Sequence, residues 1–424
     1  MRNGIVEDIL GNIAKIEMGQ SPDSKYYNSD SKGLPLIQGN ADIKDRKSIS
    51  RIWTTQITKE CDEGDILMTV RAPVGKIGIS SYHSCIGRGV CAFKAINVDS
   101  NYLYYLLLSK EESWQIYEQG STFTAVGSKE IFNFPLTLIT LVPEQTQIAN
   151  ILNNCDIIIE KTQAAISKYK AIKQGMLQDL FTRGIDIKTG KLRPRYEDAP
   201  ELYKESKLGW IPKEWDEIPL ENLTTQIGDG IHTTPKYSEN TDYYFINGNN
   251  LSNGKIEIPN SALCISKEEY KKLFKELNNR TILYSINGTI GNIAFYEKQK
   301  VVLGKSVCYI SCKTNVNLDY IYFILQTNPV IKYYENELTG STIKNLSLAS
   351  VRNTPITISK EIKEQELIAN RIRTITSKLQ MEQIYFQKLQ AIKQGLMSDL
   401  LTGKKRVKIE EILNKKNNGR KRIT

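Results

Sequence analysis

A stretch of thirteen residues occurs twice in this chain and constrains its fold more than any other feature. Residues 170–182 read KAIKQGMLQDLFT and residues 390–402 read QAIKQGLMSDLLT. The match extends back to Glu144 and Glu364, with 15 of 39 positions identical at one constant offset of 220 and no gap. Self-similarity of this kind predicts that the chain contains two copies of one structural unit.

Weaker matches precede each copy. GSTFTAVGSKEIFNFPLTLI at 120–139 parallels GSTIKNLSLASVRNTPITI at 340–358 at the same offset. LPLIQGN (34–40) parallels YYFINGN (243–249), and ILMTVRAPVGKIG (66–78) parallels ILYSINGTIGNIA (282–294), at smaller offsets. Offsets change in this way when loops vary in length while the strands are retained. Each copy therefore predicts a variable globular part followed by a strictly registered helix.

The helical prediction rests on alternating spacings of four and three residues, the heptad period of a coiled coil. A helix of 39 residues is about 58 Å long, longer than a small domain needs, so we expect it to hold two parts of the protein apart. Similar helices related by a pseudo-two-fold axis run antiparallel. The alternative is that each helix packs only on its own domain. The predicted seams are Ile148, Leu152, Cys155, Ile159, Thr162, Ile166, Tyr169, Lys173, Met176 and Leu180, and Ile368, Ile372, Ile375, Leu379, Glu382, Phe386, Leu389, Lys393, Leu396 and Leu400.

The globular parts combine short apolar runs, bounded by Gly, Asn and Asp, with two helical segments, and so predict mixed α/β domains. The expected fold is α+β, with two such domains separated by two long helices that form an antiparallel coiled coil. The predicted organisation is a first domain at 1–142, a first helix at 143–182, a linker at 183–214, a second domain at 215–359, a second helix at 360–402 and a basic tail at 403–424.

Composition narrows the function classes. The net charge is +10, but about +7 of it lies in residues 403–424, so the global charge is weak evidence for nucleic-acid binding. The seven cysteines lack paired spacing and the chain has two histidines, so neither a disulfide framework nor a zinc site is expected. The N-terminal residues lack the pattern of a secretory signal and no apolar run has the length of a membrane span, which favours the cytoplasm.

No catalytic motif is complete in this sequence. The GKS at 304–306 has Gln299 where a phosphate-binding loop requires its first glycine, and the GDG at 228–230 lacks the third glycine of a dinucleotide site. A serine nucleophile elbow and an amino-methyltransferase signature are also missing from the sequence. We therefore expect a chain that binds without catalysing a reaction.

The variable parts carry loop residues suited to reading base edges, because Arg and Lys pair with guanine, and Asn and Gln with adenine, in the major groove. For each residue alone, a turn residue bonded to its own backbone is the competing interpretation. Their recurrence at matching places in both copies favours DNA contact. The candidates are Lys25, Tyr26, Tyr27, Gln38, Asn40, Arg71, Lys76 and Arg88 in the first copy, and His232, Thr233, Thr234, Lys236, Tyr237, Asn247, Asn249, Asn250, Asn287, Thr289, Lys344 and Asn345 in the second.

Taken together, these motifs resemble the specificity subunit of type I restriction-modification systems. The resemblance covers nearly the whole chain and rests on EQTQIANIL with KYKAIKQGMLQDLFT, the junction LGWIPKEWDEIPLENL (208–223), and EQELIANRI with KLQAIKQGLMSDLLTG. It implies two target recognition domains that contact double-stranded DNA about one helical turn apart, roughly 34–36 Å, at a bipartite asymmetric site. It also implies two methyltransferase subunits that carry S-adenosylmethionine and modify adenine, and a restriction subunit where one is present, with no cofactor in this chain.

The identity of AIKQG in both copies, including positions outside the seam, suggests that the helices also bind the catalytic partners. The candidate partner-binding residues are Lys173, Gln174, Lys393 and Gln394. Two hypotheses from other functional classes stay open. One is a coiled-coil adaptor that binds proteins but no DNA, and its binding would be insensitive to salt. The other is an enzyme with an unrecognised active site.

Overall fold

The computed structural model describes residues 4–118, 125–340 and 344–408. The chain forms two compact units: Met1–Ala164 with Ile384–Thr424, and Ala165–Gln383. Each of the two long helices therefore contributes one part to each unit. The repeated residues 120–124 and 341–343, and the tail from residue 409 onward, lie outside the described residues.

The first unit is built mainly from short strands. Its strands are β1 (Ile5–Ile9), β2 (Ala14–Met18), β3 (Tyr27–Asn28), β4 (Leu34–Ile37), β5 (Ile43–Lys44), β6 (Lys47–Ser48), β7 (Trp53–Thr54), β8 (Glu60–Cys61), β9 (Ile66–Thr69), β10 (Ile77–Ile79), β11 (Ser84–Ile86), β12 (Val90–Ala95) and β13 (Pro135–Ile139). Its helices are α1 (Leu10–Ile13), α2 (Ser100–Leu108), α3 (Ser128–Phe132) and the first part of α4 (Val142–Arg183).

Two sheets of the first unit position its loops. One has the order β2-β12-β9-β10-β6-β5 and the other β3-β7-β4-β11-β8, in which β4 and β11 are parallel. A separate pair, β1 and β13, joins the two ends of the domain and leads directly into α4. The helix α2 lies in the apolar core of this unit with Leu10, Phe93, Trp114 and Ile148.

The second unit repeats this plan. Its strands are β14 (Tyr203–Ser206), β15 (Gly209–Pro212), β16 (Trp215–Pro219), β17 (Thr224–Asp229), β18 (Tyr237–Ser238), β19 (Tyr244–Ile246), β20 (Leu251–Ser252), β21 (Lys255–Ile256), β22 (Cys264–Ile265), β23 (Thr281–Ser285), β24 (Ile293–Phe295), β25 (Val301–Leu303), β26 (Val307–Cys312) and β27 (Pro355–Ser359). Its helices are α5 (Lys267–Leu273), α6 (Leu318–Ile324), α7 (Asn328–Glu337), α8 (Leu348–Arg352) and the first part of α9 (Ile362–Leu400).

The correspondence between the units extends to strand pairing. The order β17-β26-β23-β24 matches β2-β12-β9-β10, the parallel pair β19 and β25 matches β4 and β11, and β16 with β27 matches β1 with β13. In α2 and α6, Asp99 and Asn317 cap equivalent N-termini by accepting from Tyr102 N and Tyr320 N, each at 2.9 Å. The predicted α+β class and the internal repeat are confirmed.

The predicted helices and seams are present. The first helix covers Val142–Arg183 and the second Ile362–Leu400, within three residues of the predicted bounds. Every residue of the two predicted seams is buried or half-buried. Within the first unit, Glu144 and Asp156 contact Arg406 and Lys393, so the chain direction of α9 opposes that of α4. Within the second unit, Tyr169 contacts Lys378 and Ile185 contacts Glu364, again in opposed order. The antiparallel arrangement is thus found inside each unit.

The segment predicted as a linker without clear period is more ordered than its composition indicated. Residues 203–212 form the hairpin of β14 and β15, and Tyr196 stacks on Trp210 with ring centroids 4.1 Å apart. Arg193 reaches the buried Glu364 at 2.5 Å. Aromatic stacking and an ion pair hold this segment in place, and neither leaves a periodic signature in the sequence.

The described part of the chain contains no helix that is both long and apolar enough to cross a membrane. Its cysteines are all free thiols, and five of the seven are buried, all five of them in strands. In the same described residues, no cluster of three or more His, Cys, Asp or Glu side chains could hold a metal ion.

Candidate nucleic-acid interface

Loops of the first unit meet at a surface that we call the first loop platform, formed by residues 19–21, 38–40, 70–72, 87–89 and 125–126. These loops are distant in sequence but are joined directly by hydrogen bonds, so their side chains share one surface. The main-chain bonds are Gln20 N to Ile86 O (3.0 Å), Gly87 N to Ile37 O (2.8 Å), Val70 N to Gly89 O (2.9 Å) and Val126 N to Val70 O (3.0 Å).

The second unit has the same arrangement at residues 230–232, 247–250, 286–288, 304–306 and 344–346, the second loop platform. Its bonds correspond one for one to those of the first. They are Ile231 N to Leu303 O (2.8 Å), Gly304 N to Ile246 O (2.8 Å), Ile286 N to Ser306 O (2.9 Å) and Leu346 N to Ile286 O (2.8 Å). The backbone frame is therefore retained while the side chains differ.

The first platform brings together four of the predicted DNA-contacting residues. Gln38 is half-buried, and Asn40, Arg71 and Arg88 are exposed. Arg88 donates its main-chain N–H to Ser21 Oγ at 3.1 Å, which fixes the loop beneath its guanidinium. The arrangement presents two cations and two amides on one surface, a set of donors and acceptors suited to base edges.

The other four candidates of the first unit make contacts of their own. Lys25 pairs with Asp23 at 3.2 Å and lies over the ring of Tyr26. Tyr27 donates its hydroxyl to Pro22 O at 3.0 Å, just beyond the first platform. Lys76 lies 3.9 Å from Glu111, a carboxylate that also accepts from Arg46 and from Ile77 N. Lys76 and the platform loop 70–72 both belong to the connection between β9 and β10. The structure does not bring Lys76 to the platform bonds.

Several amides of the second platform are engaged within the platform itself. Asn287 donates to Asn345 Oδ1 at 3.1 Å, and Asn247 accepts from the hydroxyl of Ser306 at 3.2 Å. Asn250 uses both ends of its amide, accepting from Asn247 N and donating to Glu257 O. These contacts hold the loops in shape, as expected from the alternative interpretation of these residues as turn residues bonded to nearby groups of the chain. Asn249, Thr289 and Lys344 are exposed.

The remaining candidates of the second unit begin at the last residue of the platform loop 230–232 and continue to residue 237. His232 pairs with Asp229 at 2.8 Å. Thr233, Thr234 and Lys236 are exposed, and Tyr237 is 47% exposed with its ring 6.2 Å from that of Phe245. This strip presents hydroxyls, one cation and one aromatic ring beside the platform.

Sequence reasoning missed Lys305. It belongs to the GKS that fails as a nucleotide-binding motif, and its equivalence to Arg88 depends on strand pairing that the sequence match did not reach. The bond from Gly304 N to Ile246 O reproduces the bond from Gly87 N to Ile37 O, so Lys305 takes the position of Arg88. A shorter sequence signal was present: a glycine before a single cation in both GRG and GKS.

The thiols near these loops are not activated. Burial raises the pKa of Cys61 to about 11, and burial raises the pKa of both Cys91 and Cys308 well above the ordinary value. A thiol with a raised pKa stays protonated near neutral pH and is a poor nucleophile. These three side chains therefore serve the core.

A comparison with protein-family models decides the family. The model for the type I restriction modification DNA specificity domain matches residues 7–168 and 212–394, more than half of the chain. The chain belongs to this family. The two matched segments each contain one loop platform and part of a long helix, so the family's repeat coincides with the repeat seen in the structure.

Curated relatives carry consistent names. A protein of Methanocaldococcus jannaschii with the provisional name type I restriction enzyme MjaX specificity subunit is 33% identical over 184 residues, 42% of this chain and 43% of the relative. The chain thus matches less than half the length of that relative. The MjaIX specificity subunit of the same organism is 24% identical over 94% of this chain and 93% of its own length.

Solved structures show that the fold is shared. The S subunit of a type I restriction-modification system from M. genitalium superposes with a TM-score of 0.62 at 15% identity, over 95% of this chain and 97% of the other. A chain from a study of complex assembly and conformational transition of the type I R-M system gives 0.53 at 14% identity, over 95% and 99%.

The residues of the repeated AIKQG lie on two sides of each long helix. Ala171, Ile172, Gln174 and Gly175 are exposed, as are their equivalents Ala391, Ile392, Gln394 and Gly395. Lys173 and Lys393 point into the seams and are half-buried. We call the four exposed residues of each copy the outward face. Ile172 is 38% and Ile392 54% exposed, and a Cβ added at either glycine would meet open space.

The two predicted partner-binding lysines differ in their surroundings. Lys393 pairs with Asp156 at 2.5 Å and lies 5.5 Å from the ring centre of Tyr105. Burial lowers the pKa of Lys173, and the position equivalent to Asp156 is occupied by Thr376, which offers no carboxylate. Both lysines therefore act in the seams in this structure, while the glutamines face outward.

Proposed function

We propose that this chain is the DNA-reading subunit of a type I restriction-modification complex and that each loop platform reads one half of a bipartite, asymmetric site. One observation carries the proposal: the same main-chain bonds hold both platforms while their side chains differ. A retained frame with variable side chains is what a reader needs, because the frame fixes the approach to the groove and the side chains select the bases.

The side chains supply the chemistry of readout. Arg and Lys donate to guanine O6 and N7, and an exposed Asn or Gln pairs with adenine N6 and N7. At equivalent positions the first platform carries Gln38, Arg71 and Arg88 where the second carries Asn247, Asn287 and Lys305, so the two half-sites differ in sequence. In this proposal the chain itself catalyses nothing and acts in the cytoplasm. Adenine methylation belongs to two partner subunits that carry S-adenosylmethionine, and cleavage to a restriction subunit where one is present.

The test is single-molecule sequencing of genomic DNA from cells that produce this chain with its neighbouring methyltransferase subunit. N6-methyladenine in a split, asymmetric motif that disappears when this chain is deleted is the expected result. An unchanged methylation pattern in the deletion strain, with the methyltransferase still expressed, contradicts the proposal.

An adaptor that binds only proteins is the second candidate, favoured by the modest charge outside the tail. Binding to a duplex that carries the methylated motif separates the two. Contacts with phosphates release counterions, so the affinity of a DNA reader falls steeply as salt rises, whereas an adaptor shows no duplex binding to titrate.

We further propose that the outward faces of the two helices bind the methyltransferase subunits, one at each copy. A glycine inside a helix costs roughly 0.5–1 kcal/mol relative to alanine, yet both copies keep one at a position where the chain itself leaves room for a Cβ. Close approach of a partner backbone accounts for both glycines, and the adjacent Ile172 and Ile392 supply apolar area to bury.

Co-purification tests this surface. The double variant Ile172→Ser and Ile392→Ser is expected to lose most of the methyltransferase subunit while binding the duplex as the unmodified chain does. Lys168→Ser with Lys388→Ser, exposed at equivalent positions one helical turn before the isoleucines, serves as the matched control. Retention of both partner subunits by the isoleucine variant contradicts the assignment.

A further inference from the structure

Arg88 and Lys305 hold one equivalent position at the centre of the two loop platforms. Each lies between a residue whose N–H bonds a parallel neighbouring strand and a residue whose carbonyl accepts from the next loop. The main chain on both sides of the cation is therefore fixed by the same bonds in both copies. The Cα position of each cation is therefore fixed, and only its side chain is free to move.

The turn that carries each cation packs closely against a neighbouring loop. A Cβ at Gly89 would lie 2.1 Å from Gln38 O, and a Cβ at Gly304 would lie 2.3 Å from Asn247 Oδ1. Neither distance is possible for a real Cβ. Gly89 therefore permits a close approach of the Gln38 backbone, and Gly304 permits a close approach of the Asn247 side chain. The side chain of the cation is directed away from this tight contact, and both Arg88 and Lys305 are exposed.

Within the described residues, neither side chain is engaged in an ion pair or a hydrogen bond. The contrast is clearest on the second platform, where the amide of Asn287 is occupied by Asn345 and that of Asn247 by Ser306. Lys305 is thus a long donor without a partner, surrounded by polar groups already in use. Elsewhere in the same unit, cations such as Arg193 and Lys360 pair with carboxylates.

We propose that Arg88 and Lys305 are equivalent specificity-determining residues, each of which reads a guanine in the half-site of its own domain. Guanine offers two acceptors, O6 and N7, on its major-groove edge, and contact with Arg or Lys is the commonest specific base contact. The assignment for Lys305 is new, and it rests on the proposed function because it requires that the platforms face DNA. The fixed turn matters because discrimination depends on the donor reaching one base edge and no other.

The experiment uses the full chain produced with its methyltransferase partner, and N6-methyladenine sequencing as the readout. Lys305→Ala is expected to relax one guanine-containing position of one half-site by about tenfold in preference, with the other half-site unchanged. Arg88→Ala is expected to relax one position of the other half-site. Lys305→Arg and Arg88→Lys, which keep the charge, are expected to retain guanine.

The matched control is Lys332→Ala, another exposed lysine of the second unit, on α7 and away from the platform bonds; it is expected to leave the motif intact. Thermal unfolding of each variant confirms that the fold persists. If Lys305→Ala lowers methylation evenly across all motif sequences, the lysine contacts phosphate and the proposal is overturned; an unchanged motif and extent also overturn it. If the unmodified chain directs no split motif, the proposed function itself fails.

Discussion

Glu144, in the first turn of α4, accepts two hydrogen bonds from the guanidinium of Arg406, at 2.7 Å from Nε and 2.5 Å from Nη2. Its side chain is almost fully buried and also accepts from Val407 N at 3.1 Å. In the second unit the equivalent Glu364 accepts from Ile185 N and from Arg193. The segment that follows each long helix is thus attached to the carboxylate that begins the other. The first residues of the predicted basic tail are therefore a docked segment.

Arg406→Ala should destabilise the first unit by roughly 1–3 kcal/mol, because it removes the guanidinium donors from a buried carboxylate. Lys404→Ala, two residues earlier and exposed, serves as the control and is expected to stay within about 0.5 kcal/mol of the unmodified chain. Urea unfolding followed by near-ultraviolet circular dichroism measures both. Equal stability of the two variants would show that the docked segment contributes nothing.

The same contact predicts a pH dependence. The hydrogen bonds from Arg406 lower the pKa of Glu144 below its ordinary 4.5. A carboxylate with a depressed pKa in the folded state stabilises the fold fully above pH 4.5, and this contribution is lost as the pH falls through the folded pKa. We expect the unfolding temperature of the unmodified chain to fall more steeply below pH 4.5 than that of Arg406→Ala. Parallel profiles for the two proteins would rule out this linkage.

Lys173 and Lys393 are equivalent in sequence but should respond oppositely to substitution by methionine. Lys173→Met removes a half-buried ammonium that forms no ion pair with a carboxylate of the described residues, and it should stabilise the chain by an amount on the order of 1 kcal/mol. Lys393→Met breaks the pair with Asp156 and should destabilise it by about 1 kcal/mol. Chemical unfolding of the two single variants is the measurement, and a change of the same sign in both would contradict the assignment of these seam environments.

Gly175→Ala and Gly395→Ala should separate stability from assembly. Because an added Cβ meets open space at each position, each change should stabilise the isolated chain by roughly 0.5–1 kcal/mol. If a partner backbone packs there, the same Cβ should weaken binding of the methyltransferase subunit by tenfold or more. Calorimetric unfolding of the isolated chain measures the change in stability, and titration with the methyltransferase subunit measures the change in affinity. A more stable chain with unchanged partner affinity would place the partner elsewhere.

The sequence allowed the long helices to be predicted within three residues, because heptad spacing is a local property that burial on one side of a helix enforces. It did not reveal the hairpin at 203–212, whose stability comes from the stacking of Tyr196 on Trp210 and from strand pairing rather than from period. For the candidate site, Gln38 and Arg71 lie in segments where the two copies match, whereas Arg88 lies outside those segments, and the structure brings the three loops together. The occupied amides of Asn247 and Asn287 could be seen only with their partners in place.

The repeat, the two long helices and the mixed α/β character of each domain were determined by the sequence itself. Identity at a fixed offset and the spacing of apolar residues can both be recognised in the sequence alone. The structure retains both, as two similar units and two amphipathic helices. Which loop residues share a surface was decided only by the tertiary structure. The parallel pairing of β4 with β11 and of β19 with β25 brings loops about 50 residues apart into direct hydrogen bonding. That pairing makes Lys305 the counterpart of Arg88, and the glycine that precedes each cation does not by itself establish it.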